Sequence, residues 1–286
     1  MTRAALAASI VLLLAADVSG CAREPAAFAV KEVIPRPEQG ALRLNDELTI
    51  VFTAPVDPSS VGPQSLRVWS ADGAPIEGSF EVGDDRVTFV PRPVSAPDWS
   101  DGGWRPGQRV DVSLSAYPDR TGVMSTDGMP LDRPLRLRFS VLDPRGAPAA
   151  SPPPFRDVAI GAGPALVNRA LLVADGGDRV RVRPDGRIRL AFSEPLDPRT
   201  VTSDTIRVRF DNPQHANVPC ELTLVQSRRS AEVFVRPRDG FPTDSPLILD
   251  LGAPGPTDLV GTPFEGTVLL RVDGDPAAAE CAGGAP

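Results

Sequence analysis

The amino-acid sequence predicts an all-β protein in which two tandem β-sandwich domains follow an N-terminal signal peptide. Three observations lead to this fold class. Short stretches alternate apolar and polar residues, which is typical of strands with one buried face. The 33 prolines and 25 glycines among 286 residues interrupt the chain too often for long helices. Two segments of the sequence, 140 residues apart, also resemble each other, which indicates two copies of one folding unit.

The first element is the signal peptide, residues 1–20. Arg3 gives it a positive start, and Ala4–Ala16 is an apolar run shorter than the about 20 residues that cross a bilayer. The next segment, Val18–Cys21 (VSGC), resembles the lipobox of bacterial lipoprotein signals. This resemblance implies that residues 1–20 are removed and that Cys21 carries a diacylglycerol. The alternative is an ordinary signal peptide with an incidental cysteine.

Lipid attachment predicts where the mature chain is located. Several acyl chains on Cys21 would hold the protein at a membrane, since single chains bind only marginally. The expected partner is therefore a membrane, and the expected location is the cell envelope, reached by export. Ala22 rather than an aspartate follows Cys21, so the outer membrane is the expected destination in a Gram-negative cell. Residues 21–29 are expected to form a spacer between the lipid and the first domain.

The two domains are expected at residues 30–142 and 157–273. Strand-like alternation, as in Leu48–Phe52, recurs in both at intervals of about ten residues, with proline, glycine and aspartate between the strands. Residues 143–156 are rich in proline and alanine, which favours an extended, semi-rigid linker. Residues 274–286 form a C-terminal tail.

The repeat aligns Leu48–Val68 with Ile188–Val208 without a gap. In each copy a strand ends in phenylalanine and is followed by a proline, which cannot donate to a sheet and so ends the strand. An aspartate then caps a short helical turn that begins with proline. A metal-binding or catalytic role for this aspartate is the less favoured alternative. Further along, Asp119–Gly122 is expected to match Asp258–Gly261. The predicted corner residues are Asp57 and Pro58 in the first copy and Asp197 and Pro198 in the second.

The two corners, FTAPVDPSSV and FSEPLDPRTV, with a later D-x-x-G turn and a final strand, resemble the bacterial Ig-like domain of the SbsA type. The resemblance covers both units and implies immunoglobulin-like sandwiches outside the cytoplasm, with no catalytic residues to transfer. Periplasmic copper carriers of the CopC kind share the corner, but they bind copper through clusters of histidine and methionine. Here His215 is the only histidine, and Met124 and Met129 are the only methionines of the mature chain. A copper site is therefore not expected.

Composition narrows the function further. The net charge of −7 and the pI near 4.9 disfavour a nucleic-acid partner. His215 lies in a loop-like stretch, NPQHANVP, and the sequence has no serine-hydrolase elbow, phosphate-binding glycine loop or CxxC motif. The sequence therefore predicts no catalytic residue, no metal site and no cofactor. With 37 Asp and Glu residues, an enzyme with an unrecognised acidic site remains a third hypothesis.

Two tryptophans, Trp99 and Trp104, lie in the Gly- and Asp-rich stretch Pro97–Gly107. They could form an exposed platform that stacks on sugars or on a partner. Alternatively, they could close over the end of their own sandwich. The first interpretation makes this loop a candidate ligand site.

Two further cysteines, Cys220 and Cys281, remain once Cys21 is lipidated. Export places them in a compartment that usually oxidises thiols, so a disulfide between them is expected to pin the tail along the second domain. The alternative is a buried Cys220 and a free or intermolecular Cys281.

These observations favour a non-enzymatic lipoprotein of the cell envelope, whose tandem modules act as a spacer, a scaffold or a protein-interaction module. The alternative is a lipoprotein that binds carbohydrate or a surface polymer through the Trp99/Trp104 loop. Besides the membrane, the expected partner of the protein is an envelope protein or a polysaccharide that the sequence does not identify.

Overall fold

The computed structural model describes residues 27–116, 118, 121–145, 153–156, 163–167, 179–180, 185–241, 246–252, 255–264 and 268–272. The predicted signal peptide, the lipidation site Cys21 and the tail residue Cys281 lie outside these ranges, so the expectations about them stay predictions.

The regular secondary structure of the described residues is almost entirely β-strand, which confirms the all-β fold class. Three single 3₁₀ turns lie between them, at Pro37–Gln39, Pro58–Ser60 and Pro198–Thr200. In the described part of the chain, no helix is long and apolar enough to span a membrane. The strands are β1 (Val30–Ile34), β2 (Leu48–Phe52), β3 (Leu66–Ser70), β4 (Gly78–Val82), β5 (Arg86–Pro91), β6 (Arg109–Leu114), β7 (Leu135–Ser140), β8 (Arg179–Val180), β9 (Ile188–Phe192), β10 (Arg207–Phe210), β11 (Asn217–Val218), β12 (Cys220–Gln226), β13 (Ala231–Pro237), β14 (Leu247–Leu251) and β15 (Val268–Val272).

Strands β1 to β7 form a first sandwich, called unit 1. One sheet has the order β1-β2-β5-β4 and the other the order β3-β6-β7, and all pairs are antiparallel. Alternate residues of both sheets, such as Ile50, Val87 and Val112, are buried in one apolar cluster between them. This is the two-layer solution that strands with a single apolar face require.

Strands β8 to β15 form a second sandwich, called unit 2. Its sheets have the orders β12-β13-β9 and β11-β10-β14-β15-β8. Leu190, Val233 and Leu249 belong to a second buried cluster that is distinct from the first. The tandem immunoglobulin-like sandwich class that the sequence predicts is therefore present in the described residues.

The two units repeat the same strand order. Strands β2, β5 and β4 correspond to β9, β13 and β12, and strands β3, β6 and β7 correspond to β10, β14 and β15. The repeated phenylalanines at the ends of β2 and β9, Phe52 and Phe192, are both buried. Val30 pairs with the first of them and Leu166 with the second. The repeat in the sequence is thus a repeat of structure.

One part of the sequence alignment is wrong. The turn equivalent to Asp258–Gly261 is Ser125–Gly128, not Asp119–Gly122. In both turns the first residue forms an isolated antiparallel bridge with the corner, and the final glycine has a positive φ, 76° and 95°. Gly128 and Gly261 both adopt the left-handed conformation, which other residues rarely do. This shared glycine identifies the equivalent turns better than the shared aspartate of the sequence alignment does.

Candidate functional site

The corners of the two units have the same local structure. The Asp57 side chain accepts the backbone N–H of Ser59 at 2.9 Å, and the Asp197 side chain accepts that of Arg199 at 3.0 Å. Each aspartate precedes a proline that opens a 3₁₀ turn, as the repeat predicts. The backbone N–H of each aspartate also donates to the neighbouring turn, to Met124 O or Thr257 O, at 2.9 Å. The structure gives these aspartates a capping role.

The surroundings of the two corners differ. In unit 1 the prolines on either side of Asp57 are exposed, whereas in unit 2 Pro195 and Pro198 are buried and Asp197 is only 4% exposed. The reason is that the corner of unit 2 faces unit 1. This contact between the units is the candidate functional site, because it fixes how the two sandwiches are joined.

The unit 1 side of the contact contains the predicted tryptophan loop. Trp99 is 5% exposed and Trp104 is fully buried, so these residues close over their own sandwich, and the alternative of an exposed stacking platform is wrong. Trp104 Nε1 donates to the backbone oxygen of Asp46 at 2.6 Å. The loop can fold inward because Gly103 lies against the β-sheet, where a Cβ atom would come within 2.4 Å of Glu77 O.

Trp99 forms the centre of the contact. Its ring meets Phe155 edge-on with centroids 5.8 Å apart, and the guanidinium of Arg199 lies over the ring, 4.4 Å from its centroid. Trp99 has a φ of 60°, a left-handed conformation that bulky residues rarely adopt. The surrounding contacts therefore hold this indole in place, between the core of unit 1 and the corner of unit 2.

Residues 153–156, at the end of the predicted linker, are bound to unit 1. Phe155 is buried in the first apolar cluster. Leu44 N donates to Pro154 O at 2.9 Å, and Arg156 Nε donates to the buried carboxylate of Asp46 at 2.6 Å. The chain therefore leaves unit 1 from a fixed point beside the contact.

Apolar and polar contacts together join the units. Leu259, in the turn of unit 2, packs against the first apolar cluster. Gln226 accepts the backbone N–H of Leu196 at 2.9 Å and donates through its own Nε2 to Val94 O of unit 1. A small apolar cleft lies between these contacts, lined by Leu44, Val94, Phe155, Pro195 and Leu259.

An ion pair closes the edge of this cleft. Arg228 of unit 2 donates to Glu47 at 2.9 Å and lies 3.3 Å from Glu81. Burial raises the pKa of Glu47, as does the charge of Glu81, while Arg228 and Arg229 lower that pKa. The net direction is upward, so burial outweighs the attraction of the two guanidiniums.

The remaining predicted residues lie elsewhere. His215 is exposed in the loop between β10 and β11, and its backbone N–H donates to Asn212. Cys220 is a half-buried thiol at the start of β12 that donates to Val218 O at 3.3 Å, and burial raises its pKa to about 11. The structure does not bring these two residues to the contact. Within the described ranges, no three or more His, Cys, Asp or Glu side chains are grouped as a metal site.

Sequence reasoning missed the residues that join the units. A signal for them exists inside the repeat, where the two copies differ. Arg199 stands where the first copy has Ser59, and Leu259 stands where the first copy has Thr126. In unit 1 both smaller residues are exposed. The departures from the repeat, rather than its shared residues, mark the contact.

Comparison with known proteins gives distant structural similarity only. No family model and no curated protein matches the sequence. The N-terminal part of the bacterial S-layer protein SbsC is 12% identical, with a TM-score of 0.30, over 86% of this chain and 44% of that one. Domains MG0-NIE-MG1 of alpha-2-macroglobulin from Escherichia coli are 9% identical, with a TM-score of 0.39, over 86% of this chain and 72% of that one. LD transpeptidase LdtMt1 in complex with imipenem is 16% identical, with a TM-score of 0.27, over 70% and 61%. The chain thus spans less than half of the SbsC structure, and similarities at this level assign no function.

Proposed function

We propose that this protein is a non-enzymatic lipoprotein of the cell envelope, in which two sandwiches joined in a fixed orientation act as a spacer or scaffold. The observation that carries the proposal is the burial of the unit 2 corner against unit 1. In this proposal the chain is exported, Cys21 holds it at a membrane, and the interface keeps unit 2 at a set distance from the anchor.

Fixed orientation is not the default for tandem domains, which move relative to each other unless their interface is large and apolar. Here several different contacts act together. Leu259 supplies apolar packing, Arg199 supplies a cation–π contact, and Gln226 and Arg228 supply directed polar contacts. Cation–π contacts stabilise by about 0.5–2 kcal/mol, depending on their burial. Anchoring of Phe155 in unit 1 also shortens the segment that could act as a hinge.

The described carboxylates support a structural role more than a catalytic one. Asp46 is paired with Arg156, and Asp197 is paired with Arg199 while it also caps a backbone turn. Glu47, the carboxylate whose pKa is raised, lies at the edge of the small apolar cleft and is paired with Arg228, which it shares with Glu81. This pairing gives Glu47 a structural contact between the units.

The orientation can be tested by single-molecule energy transfer on the full-length lipoprotein. Lys31, the only lysine, takes an amine-reactive donor, and a cysteine in place of exposed Asp239 takes the acceptor, with Cys220 and Cys281 replaced by serine. We expect one narrow distance distribution in this background. The double variant Arg199→Ala/Leu259→Asp should broaden it.

The matched control places equivalent changes on the exposed corner of unit 1, as Ser59→Ala/Thr126→Asp. This control should leave the distribution narrow, because neither residue contacts unit 2. A broad distribution in the unsubstituted background, or equal broadening by both double variants, would refute the rigid spacer.

Lipid anchoring has a separate test. In a bacterial host fed with labelled palmitate, the wild-type protein should become labelled and Cys21→Ser should not. Equal labelling of both proteins would exclude Cys21 as the anchor, without affecting the argument for a rigid interface.

A further inference from the structure

The outer surface of the sheet β3-β6-β7 differs from the rest of this acidic protein. Strand alternation buries Leu66, Val68 and Val110 and turns the residues between them outward. Half of the outward positions are arginines. This surface, called the basic face, consists of Arg67, Trp69, Arg109, Asp111, Ser113, Arg136, Arg138 and Ser140.

The strand register places these side chains in two adjacent rows. Arg67 and Arg136 lie on either side of Ser113, and Trp69 and Arg138 lie on either side of Asp111. Neighbouring strands are about 4.8 Å apart, so each row spans about 10 Å across the sheet. The face is therefore an array in which Trp69 lies in one row with Asp111 and Arg138, beside a row that contains Arg67 and Arg136.

Trp69 is the exposed tryptophan of this protein. Its side chain is 37% exposed, whereas Trp99 and Trp104 are buried. An indole on a sheet surface offers a large rigid area at a low cost in conformational entropy. An exposed aromatic side chain is thus found on β3 and not in the Trp99/Trp104 loop.

The charges of this face are unbalanced. The face has four guanidiniums and one carboxylate. That carboxylate, Asp111, already accepts from Arg138 Nε at 2.9 Å. Among the residues that the structure describes, Arg67, Arg109 and Arg136 form no ion pair. Like charges on neighbouring strand positions disfavour the sheet. A face with an excess of three positive charges on a chain of net charge −7 is therefore complementary to an anionic partner.

We propose that the basic face binds an acidic polysaccharide, with Trp69 stacked on a sugar ring and Arg67 and Arg136 bound to its carboxylates. Guanidinium groups bind carboxylates in a bidentate manner, which a point charge such as ammonium cannot do. Ser113, between the two arginines, offers a hydroxyl to the sugar hydroxyls.

A polysaccharide fits this face better than a lipid surface does. Surfaces that insert into an interface present a broad apolar area, whereas here Trp69 is the single large apolar side chain among charged and hydroxyl groups. The proposal does not depend on the contact between the units, because the basic face belongs to unit 1 alone.

The test uses the full-length lipoprotein in neutral detergent, with polygalacturonate as the acidic glycan and dextran as a neutral polymer. Titration calorimetry at low ionic strength should detect binding of polygalacturonate and none of dextran. The same glycan should protect the protein fluorescence from acrylamide, because Trp69 is the accessible indole. Binding should weaken as salt is added.

Two variants assign the binding to this face. Arg67→Gln/Arg136→Gln should weaken binding at least tenfold, and Trp69→Thr should weaken it at least fivefold and remove the fluorescence protection. Arg236→Gln, on an exposed position of β13 in unit 2, is the matched control and should stay within twofold of wild type. Unchanged urea unfolding of the arginine variant shows that its fold is intact.

Three results would overturn the proposal. The first is equal affinity for dextran and polygalacturonate. The second is a loss with Arg236→Gln as large as that with the double variant. The third is binding of phosphatidylglycerol vesicles through Arg67 and Arg136 without any binding of polygalacturonate, which would make the face a membrane contact.

Discussion

The corner of unit 1 faces solvent, whereas the equivalent corner of unit 2 is buried against its neighbour. Both corners have the same capping aspartate, the same proline and the same hydrogen bond to the following turn. Asp57 and Asp197 therefore perform one local task in two environments. The shared residues of the repeat therefore build the turn, while the residues that differ decide what the turn contacts.

The differing residues explain why only one corner forms an interface. Arg199 is long enough to pair with Asp197 and still cover the ring of Trp99, which Ser59 could not do from the same position. Leu259 adds apolar contact where Thr126 would add a hydroxyl group. Serine and threonine at these two positions of unit 2 would remove both contacts with unit 1.

The largest expected effect is on the cores, where the two units are alike. Phe52→Ala and Phe192→Ala should each destabilise their own unit by roughly 3–5 kcal/mol, because each removes a buried ring from its cluster. In calorimetry, each variant should lower the melting temperature of the unfolding transition of its own unit. If Phe192→Ala leaves the melting profile unchanged, the equivalence of β2 and β9 is wrong.

The next effect concerns a feature that unit 1 lacks, the predicted Cys220–Cys281 disulfide. Val272, the end of β15, pairs with Leu247 at the start of β14, and Cys220 pairs with Pro237 at the end of β13. The nine peptide steps from Val272 to Cys281 reach about 30 Å when extended. A bridge would close a loop of about 60 residues and stabilise unit 2 by roughly 4 kcal/mol, less any strain.

Peptide mapping of protein purified from the envelope decides whether this bridge exists. Alkylation must be done in denaturant, because a thiol with a pKa of about 11 reacts slowly at pH 8 in the folded protein and would be miscounted as bridged. A linked Cys220–Cys281 peptide supports the prediction. Two alkylated cysteines without prior reduction contradict it.

The capping aspartates allow a direct comparison of the corners. Asp57→Ala should destabilise unit 1 by about 1 kcal/mol, the usual effect of a lost cap. Asp197→Ala should destabilise unit 2 by about 2 kcal/mol, because the buried Asp197 carboxylate also accepts from the Arg199 guanidinium that lies over Trp99. Urea unfolding of the two variants gives the difference. Equal losses would mean that the contact adds nothing to the corner of unit 2.

Sequence patterns predicted the sandwiches well because strand alternation and turn residues act locally. The Asp-Pro corners were predictable for the same reason, since the cap and its N–H partner are two residues apart. Burial of Trp104 was one of two alternatives that the sequence left open, because it depends on Asp46, 58 residues away. The exposure of Trp69 could be predicted from the sequence, because strand alternation in Leu66–Ser70 places Trp69 on the same outward side as Arg67.

The smallest expected effect comes from the ion pair at the edge of the interface. The folded protein raises the pKa of Glu47 above its usual value, mainly through burial, although Arg228 and Arg229 oppose this and Glu81 adds to it. A raised pKa means that the folded state binds the proton more tightly than the unfolded state does. The stability from this group is therefore fully present below the unfolded pKa and is lost as pH rises through the folded pKa.

Two substitutions separate burial from charge pairing at this edge. Glu47→Gln, which resembles the protonated acid, should leave stability at pH 7 equal to wild type or slightly higher and flatten its dependence on pH. Arg228→Gln removes the main attraction on the ionised Glu47 carboxylate. It should lower the free energy of unfolding by less than about 1 kcal/mol at pH 7, as is typical of partly exposed pairs. The loss should be smaller at pH 4, where more of Glu47 is protonated. Urea unfolding at both pH values measures these differences, with Arg92→Gln, which breaks the exposed pair with Glu77 in unit 1, as the matched control. A Glu47→Gln variant that is clearly less stable than wild type at pH 7 would show that the ion pair, and not burial, dominates the interface.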